Sequence, residues 1–353
     1  MSGLTLTIQA ERWRTHLERT FASADVVPVA KGNGYGFGLP RLAGEAERLG
    51  ATTLAVGTAD EVAQVRDAFS GDVVVLTPWR AHDTQAVALA TDPRVVTTVS
   101  REVDLAALVA AEGTPRVLLE LRTSMRRHGV EADEARSAVR RLDVGDALGG
   151  RPGVVFEGWT IHLPLLTSGR LEEARRLGRL AVGLRRGPLW MSHLSPAEAT
   201  TLGEELGVPV RLRLGTSLWL GDPAALRTTA TVIDVHPVAK GDRIGYRQRR
   251  VARAGWVLVL AGGTAHGVGL EAPSAAASLR SRAVAAATGG LEAVGRALSP
   301  YTVDGRKRWF LEPPHMQSSM VLLPGDATPP SVGDSVPVEL RLTTADVDAV
   351  VEV

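Results

Sequence analysis

Two patterns in the sequence predict an α/β chain made of a (β/α)8 TIM barrel and a smaller, mainly antiparallel β domain. Short apolar runs alternate eight times with helical patterns up to residue 214. Eight such alternations fit a closed barrel better than an open doubly wound sheet, which usually has fewer strands. Past Gly221 the pattern changes to β-type runs between Gly and Pro turns. We therefore place the barrel at residues 1–221 and the β domain at residues 222–353.

The predicted elements follow in chain order. A first apolar strand ends at Ile8 and can join the sheet of the β domain, and a helix follows over residues 10–21. Barrel strands are predicted at residues 26–30, 52–56, 72–77, 94–99, 116–121, 154–161, 188–192 and 208–214. Helices between them are predicted at residues 39–49, 59–69, 82–90, 101–111, 131–142, 168–184 and 195–206. In the β domain we predict strands at residues 229–235, 257–261, 309–311, 319–323 and 336–342, and an alanine-rich helical insertion at residues 274–297.

Composition argues against several classes of partner and site. The 353 residues have a formal net charge of +1, which argues against a nucleic-acid partner. The sequence has no apolar stretch of about eighteen residues for a membrane span, and its start lacks a secretory signal pattern, so we expect a cytoplasmic protein without a membrane partner. The absence of cysteine excludes disulfides and thiolate metal sites, and the eight histidines show no zinc-binding spacing. We therefore expect no metal.

One lysine is conspicuous in a chain whose basic residues are nearly all arginines. Only Lys31, Lys240 and Lys307 are lysines among forty basic residues. Lys31 leaves the first barrel strand and enters a loop with glycine at every second position. Partial desolvation there lowers the pKa of a lysine and suits it to bonding with an aldehyde and to acting as a base. The same pattern also fits an ordinary strand-to-helix loop whose lysine points into water.

Two loops after the last barrel strands have groups that can hold an anion. Barrel enzymes place their sites at the carboxyl ends of the strands, often with a phosphate after strands seven and eight. After strand seven, Ser195 and Glu198 form a capping pattern, which alone also fits a simple helix cap. After strand eight, Arg213 is followed by Gly215 and Thr216, a glycine with free backbone N–H groups beside a hydroxyl. Together these loops predict a phosphate site.

Motifs after strands one and five resemble those of a known family. The first reads Val29-Ala30-Lys31-Gly32-Asn33-Gly34-Tyr35-Gly36-Phe37-Gly38, and the second is Thr-Ser-Met-Arg-Arg-His-Gly at residues 123–129. They resemble the alanine racemase family, fold-type III enzymes that bind pyridoxal 5'-phosphate. The resemblance implies that Lys31 holds the cofactor, that Tyr35 binds its phosphate and that Arg127 meets its phenolic oxygen and the substrate carboxylate. Further implied cofactor contacts are His162, Ser195, Arg213 at the pyridine nitrogen, Gly215 and Thr216.

The β domain contains two further segments that resemble the family. Residues 241–246, Gly-Asp-Arg-Ile-Gly-Tyr, resemble the segment with the second catalytic residue, which implies Tyr246. That tyrosine also fits a turn-flanking aromatic packed on the sheet. Residues 314–320 resemble a loop whose methionine N–H binds the substrate carboxylate, which implies Met316, although His315 and Gln317 replace the usual cysteine and aspartate.

The resemblance implies a racemase that interconverts L- and D-alanine with Lys31 and Tyr246 as its two bases. Arginine does not give up its proton in a protein, so Arg213 would leave the pyridine nitrogen unprotonated. His162 would hold that guanidinium by a hydrogen bond. A homodimer with sites shared between chains is also implied, because a β domain at the barrel edge cannot easily fold back over its own strand-one mouth.

Several positions depart from the family pattern and leave the substrate open. Glu120 stands where many members have a lysine, and its carboxylate would supply negative charge to the strand-five arginine. Leu194 replaces an asparagine, and residues 262–267, with His266, replace another family motif. The family's last segment, with a further tyrosine, has no counterpart before Val353. We expect a remodelled entrance.

Four other functions compete with an alanine racemase. A racemase of serine or of a larger amino acid would share the chemistry. A non-catalytic protein that binds pyridoxal phosphate would have the lysine loop without a β domain, so Tyr246 argues against it. A degenerate interaction protein would not keep Lys31, Arg127, Arg213 and Tyr246. Related decarboxylases rely on a cysteine, which this chain lacks.

Overall fold

The computed structural model describes residues 3–147, 153–165, 168–270 and 297–353, and it separates into two units. One unit is Arg14–Gly221, and the other combines Met1–Trp13 with Asp222–Val353. The helical insertion predicted at residues 274–297 lies outside the described residues except for Ala297.

The strands and helices are numbered in chain order. The strands are β1 (Leu4–Ile8), β2 (Val26–Pro28), β3 (Thr53–Val56), β4 (Asp72–Val75), β5 (Val95–Val99), β6 (Arg116–Leu121), β7 (Val155–His162), β8 (Leu189–Ser192), β9 (Val210–Leu214), β10 (Leu226–Val238), β11 (Arg243–Ile244), β12 (Arg249–Arg250), β13 (Gly255–Ala261), β14 (Leu298–Val303), β15 (Arg306–Phe310), β16 (Ser318–Pro324), β17 (Ser335–Pro337) and β18 (Ala349–Glu352). The helices are α1 (Ala10–Phe21), α2 (Leu39–Arg48), α3 (Val62–Arg66), α4 (Thr84–Leu89), α5 (Glu102–Ala110), α6 (Ala132–Ala147), α7 (Arg170–Leu184), α8 (Pro196–Leu206) and α9 (Thr216–Trp219).

Strands β2 to β9 form the barrel that the sequence predicted. They pair in parallel in the order β2-β9-β8-β7-β6-β5-β4-β3, and a bridge between Val29 and Ala55 joins the two ends. Apolar side chains of alternate strand positions fill the interior, because strand side chains alternate between the two faces. This core comprises Val27, Val29, Ala55, Val74, Val96, Leu118 and Trp190. The predicted barrel is confirmed, and its loops after the strands meet at one end.

One predicted helix of the barrel differs in form. The helix expected at residues 59–69 is a 3-10 turn, Ala59–Glu61, followed by the short helix α3. The turn begins at Thr58, whose backbone carbonyl accepts the N–H of Glu61 at 3.3 Å, while the Glu61 side chain accepts the N–H of Thr58 at 3.3 Å. This reciprocal pair fixes the turn directly after β3.

The second unit contains an antiparallel sheet with one parallel pair. Its order is β14-β15-β16-β13-β10-β1-β18, and β17 pairs with β10. Strand β1 runs antiparallel to β10 and parallel to β18, so the first strand joins this sheet, as the sequence allowed. The strand predicted at residues 336–342 is shorter, because Pro337 lacks an N–H group to continue the ladder. The sequence prediction missed β14, which contains Pro300 and lies at the sheet edge, where proline is tolerated.

Candidate active site

The lysine loop folds tightly after β2. Tyr35 lies in a 3-10 turn, Gly34–Gly36, with a φ of 55°, and its N–H donates to the Asn33 side chain at 3.1 Å. Gly34 has a φ of +63°, and a Cβ there would lie 2.7 Å from the backbone nitrogen of Leu39. Glycine is therefore required at this position, and the loop turns directly from Lys31 into α2.

The Tyr35 side chain reaches the loop after β9. It is 6% exposed, and a Cβ added to Gly215 would lie 2.0 Å from its hydroxyl oxygen. Burial, with a smaller effect of the Glu61 charge, raises the pKa of Tyr35 to about 12. The phenol therefore stays protonated near neutral pH and can donate a hydrogen bond to an anion. The structure thus brings together Tyr35 and Gly215, two predicted phosphate contacts.

The Lys31 amine lies in a field of positive charge. Burial lowers the pKa of Lys31, Arg127 and Arg213 lower it further, and Glu61 opposes them. A lowered pKa increases the fraction of free amine near neutral pH, which bonding to an aldehyde and proton abstraction both require. Lys31 is nevertheless exposed, so its role in holding the cofactor stays a prediction.

His162 ends β7 and is neutral. Burial lowers the pKa of His162 to about 3, and the charges of Arg213 and Arg127 act in the same direction. Its Nδ1 lies 2.8 Å from Ser192 Oγ, and its ring lies 5.1 Å from that of His193. The guanidinium of Arg213 donates instead to the carbonyl of Ile161 at 3.3 Å. The expected hydrogen bond between His162 and Arg213 is not formed between these two described side chains: His162 pairs with Ser192, and Arg213 pairs with the Ile161 carbonyl.

Arg213 and Glu120 are buried and incompletely hydrogen-bonded. Arg213 is 8% exposed and Glu120 is 5% exposed. Among the described residues, Arg213 Nε and Glu120 Oε2 have no hydrogen-bond partner. Burial lowers the pKa of Arg213 to about 10, so it remains protonated near neutral pH. Burial raises the pKa of Glu120 against the charges of Arg213, Arg127 and Arg80, so its expected role as a full negative charge beside Arg127 stays a prediction.

Ser195 forms the helix cap that its sequence pattern predicted. Its Oγ accepts the N–H of Glu198 at 3.2 Å, and Glu198 Oε2 accepts the N–H of Ser195 at 2.7 Å. Thr216 begins α9 after Gly215, with its side chain exposed. Leu194, which replaces an asparagine of the family pattern, is 4% exposed. The phosphate roles of Ser195 and Thr216 stay predictions.

The second unit holds the predicted groups Tyr246 and Met316 at its surface. Tyr246 is 85% exposed and Met316 is 73% exposed, so this tyrosine is not packed on the sheet. The rings of Tyr246 and His315 lie 4.6 Å apart, and His315 Nε2 lies 2.7 Å from Glu312 Oε1. The carbonyl of Met316 accepts the N–H of Ala265 at 2.9 Å. The structure therefore brings the two predicted segments of the β domain together.

The sequence prediction missed three residues that hold these groups. Ser192 binds His162, Glu312 binds His315, and Glu61 binds the lysine loop at Gly32 N–H with a distance of 2.8 Å. Of the three, only Glu61 has a signal in the sequence, the capping spacing Thr58-x-x-Glu61. That signal predicts a turn and not the contact with another loop.

The described residues offer neither a cluster for a metal ion nor a helix for a membrane span. They contain no cluster of three or more His, Asp or Glu side chains placed to hold a metal ion. No helix among them has the length and apolar character of a membrane span.

Comparison with known proteins decides the family. The family model described as alanine racemase, N-terminal domain, matches residues 7–223 of the 353. The chain belongs to the alanine racemase family. An alanine racemase of Nitratidesulfovibrio vulgaris is 29% identical over 263 residues, which cover 68% of each protein. This membership supports an amino-acid racemase, that is, an isomerase, as the class of activity.

Solved structures share the fold. An alanine racemase from Bartonella henselae, described with covalently bound pyridoxal phosphate, covers 100% of both chains with a TM-score of 0.73 and 14% identity. A histidine racemase from Leuconostoc mesenteroides covers 100% of this chain and 98% of its own, with a TM-score of 0.68 and 18% identity. At these identities the likeness concerns the fold alone.

The family implies pyridoxal phosphate as the cofactor, and the residues of this chain fit it. Lys31 supplies an amine of lowered pKa for its aldehyde. The Tyr35 hydroxyl faces a position, Gly215, that tolerates no side chain, so backbone and phenol can both approach a phosphate. Arg213 Nε, buried and without a described partner, can donate to an acceptor such as a ring nitrogen.

Proposed function

We propose that the chain is a pyridoxal-phosphate-dependent racemase that interconverts L- and D-alanine. The observation that carries the proposal is the Lys31 amine, whose pKa is lowered by burial and by Arg127 and Arg213. It lies at the carboxyl end of the barrel strands, where barrel enzymes place their catalytic residues. The family motifs around Lys31 and Arg127 support this function, as do the alanine racemases among the relatives.

The proposed roles of the side chains follow from their charges and positions. When bound, pyridoxal phosphate would withdraw electrons from the α-carbon of the substrate and acidify its proton. Lys31 would hold the cofactor and exchange that proton on one face, and Tyr246 would exchange it on the opposite face. Arg127 and the N–H of Met316 would bind the substrate carboxylate.

The retained proton of Arg213 is the reason that this proposal needs two bases. With a pKa of about 10, it keeps its proton near neutral pH and would donate to the ring nitrogen without protonating it. The negative charge that forms on losing the α-proton would then be poorly stabilised. A second base must therefore return a proton quickly, which is the role we assign to Tyr246.

We also propose a homodimer in which Tyr246 and Met316 of one chain complete the barrel site of the other. Both side chains are largely exposed within their own unit, which suits groups that act at a surface. Closed twofold dimers are the commonest oligomers. A cytoplasmic location stays a prediction of the sequence.

Two measurements test the function. Borohydride reduction with pyridoxal phosphate, followed by peptide mapping, should label Lys31 and not Lys240 or Lys307. Incubation with a panel of L-amino acids should then yield D-alanine, and a Lys31→Ala chain should yield none. Label on another lysine, or on none, would contradict the cofactor role, and cofactor binding without any D-amino acid would favour a non-catalytic binding protein.

A racemase of serine or of a larger amino acid is the second candidate. The observation that favours it lies in the loop at residues 314–320, which resembles the family's loop that binds the substrate carboxylate. There His315, hydrogen-bonded to buried Glu312, stands in place of the family's cysteine. The fold shared with a histidine racemase is compatible with this wider substrate class. The same panel separates the two, because D-serine or a larger D-amino acid would then form faster than D-alanine.

A further inference from the structure

A carboxylate joins the loops that follow β2 and β3. Glu61 Oε1 accepts the N–H of Gly32 at 2.8 Å. Glu61 Oε2 accepts the N–H of Gly57 at 2.6 Å and that of Thr58 at 3.3 Å. Since Gly32 directly follows Lys31, the carboxylate binds the residue beside the lysine.

These contacts exceed the needs of a helix cap. In a capping box the glutamate reaches back to the N–H of its own cap residue, here Thr58. That contact is the longest of the three. The contact with Gly32 spans 29 residues of sequence and contributes nothing to the turn at Ala59–Glu61. It therefore ties one barrel loop to another.

Gly57 allows the two loops to approach closely. A Cβ at Gly57 would lie 3.1 Å from the Cβ of Lys31 and 3.0 Å from Glu61 Oε2. The stem of Lys31 therefore runs against the same backbone that Glu61 binds. The approach of Gly57 and the hydrogen bond at Gly32 therefore restrict the position of the Lys31 Cβ.

We propose that Glu61 is a positioning residue that fixes the base of the Lys31 side chain and places a negative charge near its amine. The inference rests on the proposed cofactor role of Lys31. Its physical importance is that a small displacement of a reacting group, about 1 Å, can cost about a hundredfold in rate. The readouts below need neither cofactor nor turnover.

The charge of Glu61 opposes the charges of two arginines at the Lys31 amine. The described groups that interact with the Lys31 charge are Arg127, Arg213, His162, His193 and Glu61. The two arginines lower the pKa of Lys31, and Glu61 raises it. Removing the Glu61 charge should therefore move the titration of Lys31 to lower pH.

The test uses the full chain freed of cofactor, with Glu61→Ala and Glu61→Gln variants. Hydrogen exchange reports on the Gly32 N–H, and trace acetylation at a series of pH values, read by mass spectrometry, reports on the Lys31 amine. Glu61→Ala should speed exchange of the Gly32 N–H by about tenfold or more, as expected when a hydrogen bond to a charged acceptor is lost. Glu61→Gln keeps one acceptor oxygen, so it should protect Gly32 in part yet shift Lys31 labelling to lower pH.

Asp60→Asn is the matched control. Asp60 is exposed, and this substitution removes one negative charge from the same turn. It should leave both readouts unchanged.

Exchange of the Val27 amide in β2 at the wild-type rate shows that a variant keeps its fold. Wild-type exchange at Gly32 in folded Glu61→Ala would overturn the tether, and an unmoved Lys31 profile in Glu61→Gln would overturn the charge effect. Failure of Lys31 to take pyridoxal phosphate would overturn the proposed function instead and leave both results standing.

Discussion

Replacing Gly215 by alanine should displace the Tyr35 side chain and thereby weaken the proposed phosphate site. The new Cβ would lie 2.0 Å from the Tyr35 hydroxyl oxygen and 2.9 Å from its ring carbon Cζ. Because a contact below about 3.0 Å is not tolerated, the hydroxyl must move by roughly 1 Å. Tyr35 is 6% exposed, so it has little free space to move into.

The structure sets the size of two effects. Overpacking of a buried site costs about 1–3 kcal/mol, so the Tm of the chain without cofactor should fall by several degrees. A displaced hydroxyl would also lose the proposed hydrogen bond to the cofactor phosphate, and a hydrogen bond with a charged partner is worth about 1.5–3 kcal/mol. The Kd for pyridoxal phosphate should therefore rise by about 10–100-fold.

Differential scanning fluorimetry and a cofactor titration measure these effects. Gly183→Ala is the control, because a Cβ at that exposed position of α7 meets no described atom within 4 Å. It should leave the Kd unchanged and the Tm equal or slightly higher, since alanine favours a helix.

A double-mutant cycle tests the cause. Tyr35→Phe removes the oxygen at 2.0 Å, so the pair Gly215→Ala with Tyr35→Phe should recover part of the Tm lost by Gly215→Ala alone. A wild-type Tm and Kd for Gly215→Ala, or strictly additive effects in the cycle, would refute the contact between these loops.

Three further predictions follow from the proposed site. Arg213→Glu should lower racemisation and raise transamination, measured as D-alanine against pyruvate, because a protonated ring nitrogen stabilises negative charge longer; unchanged partitioning would contradict the ring contact. Lys31→Ala and Tyr246→Phe chains, each nearly inactive alone, should partly recover activity when mixed, because one site of a mixed dimer then keeps both bases; a fully active monomer would rule out shared sites. Gly245→Ala should lower the Tm, because its Cβ would lie 2.2 Å from Oε2 of buried Glu312 and its φ is +73°; an unchanged Tm would contradict that packing.

Local sequence patterns determined most of the barrel. Most of the strands β2 to β9 are short, mainly apolar runs, and a run of this kind needs only its own residues to be recognised. The lysine loop was equally local, because glycine at every second position after Lys31 permits its positive φ values. The family motifs extended this to Arg127 and Arg213, whose charges the structure couples to Lys31.

Tertiary structure alone decided which side chains hold these groups. Tyr35 meets Gly215 because the first and last strands of the barrel are neighbours, and Glu61 reaches Gly32 because the loops after β2 and β3 lie side by side. His162 pairs with Ser192 and not with Arg213 for the same reason, since β7 and β8 are adjacent. The sequence shows the spacing of apolar residues and the residues that favour turns, and both predict local structure along the chain. Contacts between loops far apart in sequence depend on strand order and register, which arise only when the barrel closes.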